Sequence, residues 1–195
     1  MPLSIWDKLQ MVHRCWRLRF KSEVDSIQYV RSTKFAGATV IYIGAKKGAF
    51  SIYMSRAAGS DGQFIAFEAQ PELGERLTSV KISFSLDNMT LVNQGPSSEP
   101  GVLTMRRPEA GSRIASFHKE AGIGLDKVDI PVIRLDEYAR ANGWCGRLLV
   151  HNHLCRIILL SFFRAFSSTY KVTNHSATVR DVPVRIAHHS IFILN

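Results

Sequence analysis

Two glycines and one acid carry the first chemistry this sequence offers. Gly44 closes the apolar run "ATVIYIG" (38–44), and Gly48 precedes a stretch with helical spacing, "AFSIYMSRAA" (49–58). A turn without side chains lets a backbone approach a ligand closely, and the helix behind it presents free N–H groups. Glu68 lies in a second apolar run, "QFIAFEAQP" (63–71), 20 residues after Gly48. A carboxylate at that place can accept hydrogen bonds from both hydroxyls of a ribose. A lone G-x-x-x-G is weak, because small residues occur at any turn. The ordered set of strand, glycine loop, helix, strand and terminal acid is more specific, and its chemistry is the holding of a nucleotide-like cofactor.

The elements that must position these residues follow from patterning. The run 38–44 is rich in β-branched residues and ends at glycine, as a buried parallel strand does. Gly59 and "SDG" (60–62) close the helix at 49–58. "PELGERLTSVKISFSL" (71–86) opens with proline and an acid, a good helix start. "MTLVNQG" (89–95) is expected to be a third strand and "GVLTMRR" (101–107) a fourth. "VDIPVIRLDEYARANGW" (128–144) reads as a strand leading into an amphipathic helix, and 108–127 as a loop with some helix. Alternating strands and helices predict an α/β fold with a mostly parallel sheet. The strands at 38–44, 63–68 and 89–94 should then be parallel neighbours, with Gly44 and Glu68 at one edge.

The N-terminal 1–35 is expected to be an amphipathic helical segment. Trp6, Leu9, Val12, Trp16 and Phe20 recur at three- and four-residue steps, Val24, Ile27 and Val30 continue the pattern, and Lys8, Arg14, Arg17, Arg19 and Lys21 fill the gaps. A basic amphipathic helix can lie on a membrane surface; the expectation here is that the apolar row packs against the core.

Three separated blocks resemble the FkbM family of S-adenosylmethionine-dependent methyltransferases: "VIYIGAKKGAFSIYMSRAAGSDGQFIAFEAQPEL" (40–73), "NMTLVNQGPSSEPGVLTM" (88–105) and "VDIPVIRLDEYARANGW" (128–144). They occur in the family's order, and the resemblance spans about residues 35–144, a little over half the chain. The resemblance implies a Rossmann-like class I methyltransferase fold over 36–144, with S-adenosylmethionine as cofactor. It also implies transfer of a methyl group to an oxygen of a sugar or other small molecule. By this resemblance Gly44, Ala45 and Gly48 fall on the cofactor loop, Glu68 on the ribose-binding acid, and Ala69 and Gln70 on the adenine side. No catalytic residue is assigned.

The sequence departs from that pattern in two places. Tyr42 stands where the family's first motif, D-x-G-A-N-x-G, has its aspartate, and Lys46 where it has asparagine. A phenol with an ordinary pKa near 10 does not supply a carboxylate's charge to a cationic cofactor, so Tyr42→Asp is expected to tighten binding. After Trp144 the family continues with a strand resembling F-I-K-I-D-V-E-G. Here the chain reads "CGRLLVHNHLCRIILLSFF". "RLLV" (147–150) can still form a strand, but no D-V-E-G follows. Residues 145–195 are therefore read as a divergent basic tail, of the kind a frameshift produces. It is expected to leave the fold incomplete at its C-terminal end and to be less firmly anchored than the core. A catalytically inactive domain of the same fold is the first alternative function. A nicotinamide-dependent oxidoreductase is the second, although it usually needs G-x-G-x-x-G and Lys46 breaks that spacing.

Composition sets the outer bounds. The chain has 195 residues, 46% of them hydrophobic and 21% charged, as a globular domain requires. Its net charge is +9, and residues 145–195 hold six basic side chains against one acid, Asp181. The basic residues are scattered, so no specific nucleic-acid partner is expected. Three cysteines are too few for a disulfide framework and suit a reducing, cytoplasmic setting. Neither a secretory leader nor a membrane span is expected, since "RIILLSFFRAF" (156–166) is short and interrupted by arginine. Cys145, His151, His153 and Cys155 match no common zinc spacing, and no metal site is expected. Ser112, Ser116 and His118 lack an orienting acid, so hydrolase chemistry is not favoured. Adjacent His188 and His189 are expected to be exposed rather than ligating. Asp136 and Glu137 are read as acids favouring a helix start.

Overall fold

The computed structural model describes residues 1–32, 35–110 and 126–143, together with the strand backbones at 148–152, 172–174 and 190–194. The chain opens with helix α1 (Ile5–Arg17), a π-helical turn (Leu18–Ser22) and helix α2 (Val24–Ser32). The alternating part then runs β1 (Thr39–Ile43), α3 (Ala49–Ala58), β2 (Gln63–Phe67), α4 (Pro71–Ser83) and β3 (Met89–Val92). Strands β4 (Gly95–Ser97), β5 (Gly101–Arg107) and β6 (Asp126–Arg134) follow, then α5 (Leu135–Ala141). The last strands are β7 (Leu148–Asn152), β8 (Val172–Asn174) and β9 (Ser190–Leu194).

The main sheet has the order β3-β2-β1-β7-β9-β8. Strand β1 lies parallel to β2 and to β7, and β2 parallel to β3. The pairs β7–β9 and β9–β8 are antiparallel. The three strands predicted to be parallel neighbours are so. The strand anticipated at 147–150 is β7, in register with β1 from Thr39↔Leu148 to Ile43↔Asn152. The chain thus adds β2 and β3 on one side of β1 and later returns to add β7 on the other. That reversal lies at the carboxyl ends of β1 and β7, the place where open α/β sheets bind ligands.

The strand at 101–107 does form, but not in the parallel sheet. It pairs antiparallel with β6, and β4 pairs parallel with β6, making a separate three-stranded sheet. Its apolar face, Met105, Ile130 and Val132, packs on Ala69, just beyond the end of β2.

Local chemistry explains the helix ends. The Ser4 hydroxyl caps α1 by accepting the Asp7 N–H at 3.1 Å. Pro71 and Glu72 open α4 as proline and an acid should. At α5, Asp136 is paired with Arg134 at 2.7 Å and Arg140 at 3.0 Å, in keeping with a helix-start role. Gly74 lets α4 approach the end of β3: a Cβ there would lie 2.7 Å from Asn93 Nδ2.

One correction concerns the N-terminal segment. The first part of its apolar row does not pack on the core, whereas Ile27 and Val30 of α2, which continue it, are buried there. The face of α1 that turns inward is Met11, with Cys15 and Leu18 partly covered. The Cys15 backbone carbonyl accepts the Tyr53 hydroxyl of α3 at 3.0 Å. Trp6, Leu9, Val12, Trp16 and Phe20 point to solvent.

Asn88 ties the turn after α3 to the start of β3. Its Nδ2 donates to the carbonyls of Ser55 at 2.8 Å and Gly59 at 2.7 Å, and its Oδ1 accepts the Ser55 hydroxyl. Asn88→Ala leaves those two carbonyls without this donor. Urea unfolding should show a loss of about 1–2 kcal/mol, while Asn88→Asp, which keeps only the acceptor, should lose a comparable amount.

Candidate functional site

The site is built on the turn that leaves β1. Gly44 and Ala45 both donate their backbone N–H to the Phe67 carbonyl, at 2.9 and 3.0 Å. The β1 loop is thereby stitched to the end of β2. Gly48 closes the loop by donating to the Ala45 carbonyl at 3.0 Å and caps α3 in the left-handed conformation, φ 85°. Glycine is required there twice over. The backbone angle is strained for any other residue, and a Cβ would stand 2.9 Å from Leu77 Cδ2. Lys46 is also left-handed, at φ 52°.

Glu68 holds that geometry in place. Its Oε2 accepts the Lys46 N–H at 2.7 Å, and its Oε1 accepts the Gln70 N–H at 3.0 Å. The carboxylate therefore clasps both turns, the one after β1 and the one after β2. The residue is buried. Burial pushes its pKa above the ordinary value of 4.5, against the lowering effect of the Gln70 and Lys46 amides and the Lys46 charge. Asn93, just past the end of β3, completes the frame by donating Nδ2 to the Glu68 carbonyl at 2.6 Å and to the Gln70 carbonyl at 3.3 Å.

Gly44, Ala45, Gly48, Glu68, Ala69 and Gln70, the six residues expected at the cofactor site, thus meet at the carboxyl edge of the parallel strands. Gln70 differs in one respect: its side chain faces Arg107, whose Nη1 lies 3.5 Å from Oε1. Sequence reasoning missed Asn93 and Arg107. The signal for Asn93 was available, a polar residue next to the end of the third strand, beside two strand ends already marked. Nothing local marks Arg107, which reaches the site only through the pairing of β5 with β6.

Arg107 is an organised cation. Its side chain is 6% exposed, and the guanidinium meets Glu72 at 2.8 Å and Asp126 at 2.8 Å. The hydrogen bond from Arg107 holds the Glu72 pKa below its ordinary 4.5. Both acids are near half-exposed, so solvent weakens the pairs, and Arg107→Met should cost about 1–2 kcal/mol at neutral pH. For a depressed carboxylate the stabilisation is present above the unfolded pKa and disappears as pH falls through the folded one. The difference between the two proteins should therefore shrink on acidification below about pH 4. Parallel urea titrations across pH check this.

Tyr42 is not a lining residue of the site. It is 1% exposed and shares a core cluster with Val40, Phe50 and Met54. Its ring tilts against Phe50 with centroids 5.4 Å apart. Burial, first of all, holds its phenol well above the ordinary pKa of 10. The expected gain from Tyr42→Asp is corrected accordingly, because an aspartate there would have to enter the core rather than face a ligand.

Ser112, Ser116, His118, Cys145, His153, Cys155, His188 and His189 lie outside the described residues, as does the side chain of His151. Among the described residues no group of three or more His, Cys, Asp or Glu could hold a metal ion. Among them also, no helix is long and apolar enough to cross a membrane.

No family model matches the chain, and no curated protein matches it. Among solved structures it is similar to a methyltransferase FkbM from Methylobacillus flagellatus KT, with TM-score 0.46 and 13% identity. That likeness covers 93% of this chain and 48% of the other, so the chain spans about half of that protein. It is similar to a SAM-dependent methyltransferase from Aquifex aeolicus, with TM-score 0.45, 11% identity and 91% of each chain covered. It is also similar to an O-methyltransferase from Bacillus cereus in complex with SAH, with TM-score 0.44 and 12% identity over 98% of this chain and 90% of that one. All three likenesses are remote, and the chemistry of the site rests on the residues described above.

Proposed function

We propose that the chain binds S-adenosylmethionine at the β1 loop and transfers its methyl group to a hydroxyl of a sugar or other small molecule, as the FkbM-like blocks imply. One observation carries the reading: a buried carboxylate at a sheet switch point, fixed beside the Gly44–Gly48 loop. Each oxygen of Glu68 takes one backbone N–H. A carboxylate offers about four acceptor positions, so capacity remains for the two hydroxyls of a ribose. Gly44 and Ala45 keep the approach over the loop free of bulk. Gln70 and Ala69 border the adenine side. When bound, the cofactor supplies an electrophilic methyl group. The chain's part is to orient an acceptor oxygen toward it and to exclude water.

A second reading is cofactor binding without catalysis. It is favoured by the sequence of β7, "LLVHN", which pairs with β1 and carries none of the acids of the D-V-E-G pattern. Side-by-side calorimetric titrations with S-adenosylmethionine, S-adenosylhomocysteine and NAD separate these readings from an oxidoreductase. Saturable heat with the first two and none with NAD is expected. Heat with NAD alone would replace the methyltransferase reading.

A further inference from the structure

The outward face of α1 and of the π-helical turn is built like an interfacial membrane anchor, and we propose that it docks the protein on an anionic phospholipid surface. The proposal does not depend on the cofactor reading. Ile5, Trp6, Leu9, Val12, Trp16 and Phe20 form one continuous row and are between 47% and 81% exposed. On a helix of 3.6 residues per turn this row lies opposite Met11, Cys15 and Leu18, the residues that face the body. The inner face holds the helix rigidly: the Leu3 N–H donates to the Ser83 hydroxyl at 2.7 Å, Asp7 pairs with Arg76 at 3.5 Å, and Tyr53 bonds to Cys15. The apolar row is thus held on the outward side of the helix.

Charge decides the occupant. Lys8 borders the row on one flank and Arg17 on the other. The Arg19 guanidinium stands 4.8 Å from the Phe20 ring centre, and the Lys21 ammonium 5.2 Å from that of Trp16. Among residues 1–22 the single acid, Asp7, is turned to Arg76 and to its own cap. A row of Trp, Phe, Leu and Val flanked mainly by cations matches the boundary of a bilayer with anionic headgroups. There the apolar side chains enter the acyl edge and the basic ones meet phosphate or carboxylate.

The test uses the full chain with phosphatidylcholine vesicles, with and without phosphatidylserine, read by flotation and by the blue shift of tryptophan emission. The expected result is partition at least about tenfold stronger with phosphatidylserine, weakened by salt. The exposed double variant Leu9→Glu/Val12→Glu should abolish it, and Arg17→Gln/Lys21→Gln should reduce it severalfold, both with unchanged circular dichroism. Failure of the folded chain to bind phosphatidylserine vesicles would overturn the proposal, as would equal binding to both compositions. A dimer in solution that Leu9→Glu/Val12→Glu dissociates would overturn it too, by showing that a second copy covers the row.

Discussion

Tyr42→Ala should lower the unfolding free energy by about 3–5 kcal/mol, the range for removing a large buried aromatic ring. Tyr42 is fully enclosed in the β1–α3 layer, against Phe50, and nothing of alanine's size fills that space. Tyr42→Asp should lose at least as much at neutral pH. It removes nearly the same volume and asks a carboxylate to be buried near the negative charge of Glu68, which already acts on the Tyr42 phenol. The pH dependence has a definite sign. Burial raises the pKa of the new acid, so the folded state takes up its proton before the unfolded state does, and the variant should regain stability as pH falls toward that raised value. Tyr42→Ala should show no such recovery. Urea titrations of both variants across pH measure the two effects. An aspartate variant as stable as the parent at neutral pH would mean that position 42 can turn toward the loop after all.

Glu68→Gln is expected to do damage of a different kind. The two carboxylate oxygens accept two backbone N–H groups, from Lys46 and Gln70. A glutamine amide has one oxygen and one NH2, so one backbone N–H must face a donor. Leaving a buried donor unmet costs about 1–3 kcal/mol. Relief of the carboxylate's own burial, visible in its raised pKa, offsets part of this. Cofactor binding should suffer more than stability, since charge-assisted hydrogen bonds to the ribose are worth about 1.5–3 kcal/mol, roughly 10- to 100-fold in affinity. Calorimetry on a folded Glu68→Gln chain reads the affinity, and thermal unfolding reads the stability. Affinity equal to the parent's would remove Glu68 from the site.

Much of this frame was legible because each signal was local. The run from β1 to β3 is marked by short apolar strands, by glycines at both ends of α3, and by Pro71 at a helix start. Helix α3 falls on 49–58 as read from spacing alone. Glu68 could be picked out because an acid at the end of an apolar strand has little reason to be there unless it bonds to something. The orientation of Tyr42 was not legible. Strand β1 is buried on both faces, so alternation along it gives no inside and outside, and only the packing of Phe50 shows where the ring goes. The direction of the α1 row was misread for a related reason. The helix carries two apolar faces, and the larger, Trp-rich one is not the one that meets the core. The small β4–β6–β5 sheet was hidden because β4 is "GPS", which carries no strand propensity and exists only through its pairing with β6.

The central claim is that the β1 loop and the Glu68 turn form one cofactor site. The most direct measurement follows the backbone amide resonances of the full chain as S-adenosylmethionine is added. The account predicts saturable shifts at Gly44, Ala45, Lys46, Gly48, Glu68 and Gln70, with the Lys46 and Gln70 amides among the largest because the carboxylate they bond to must also take the ribose. Amides of α1 should stay unmoved. No shift at the loop, or shifts gathered elsewhere on a folded chain, would contradict it.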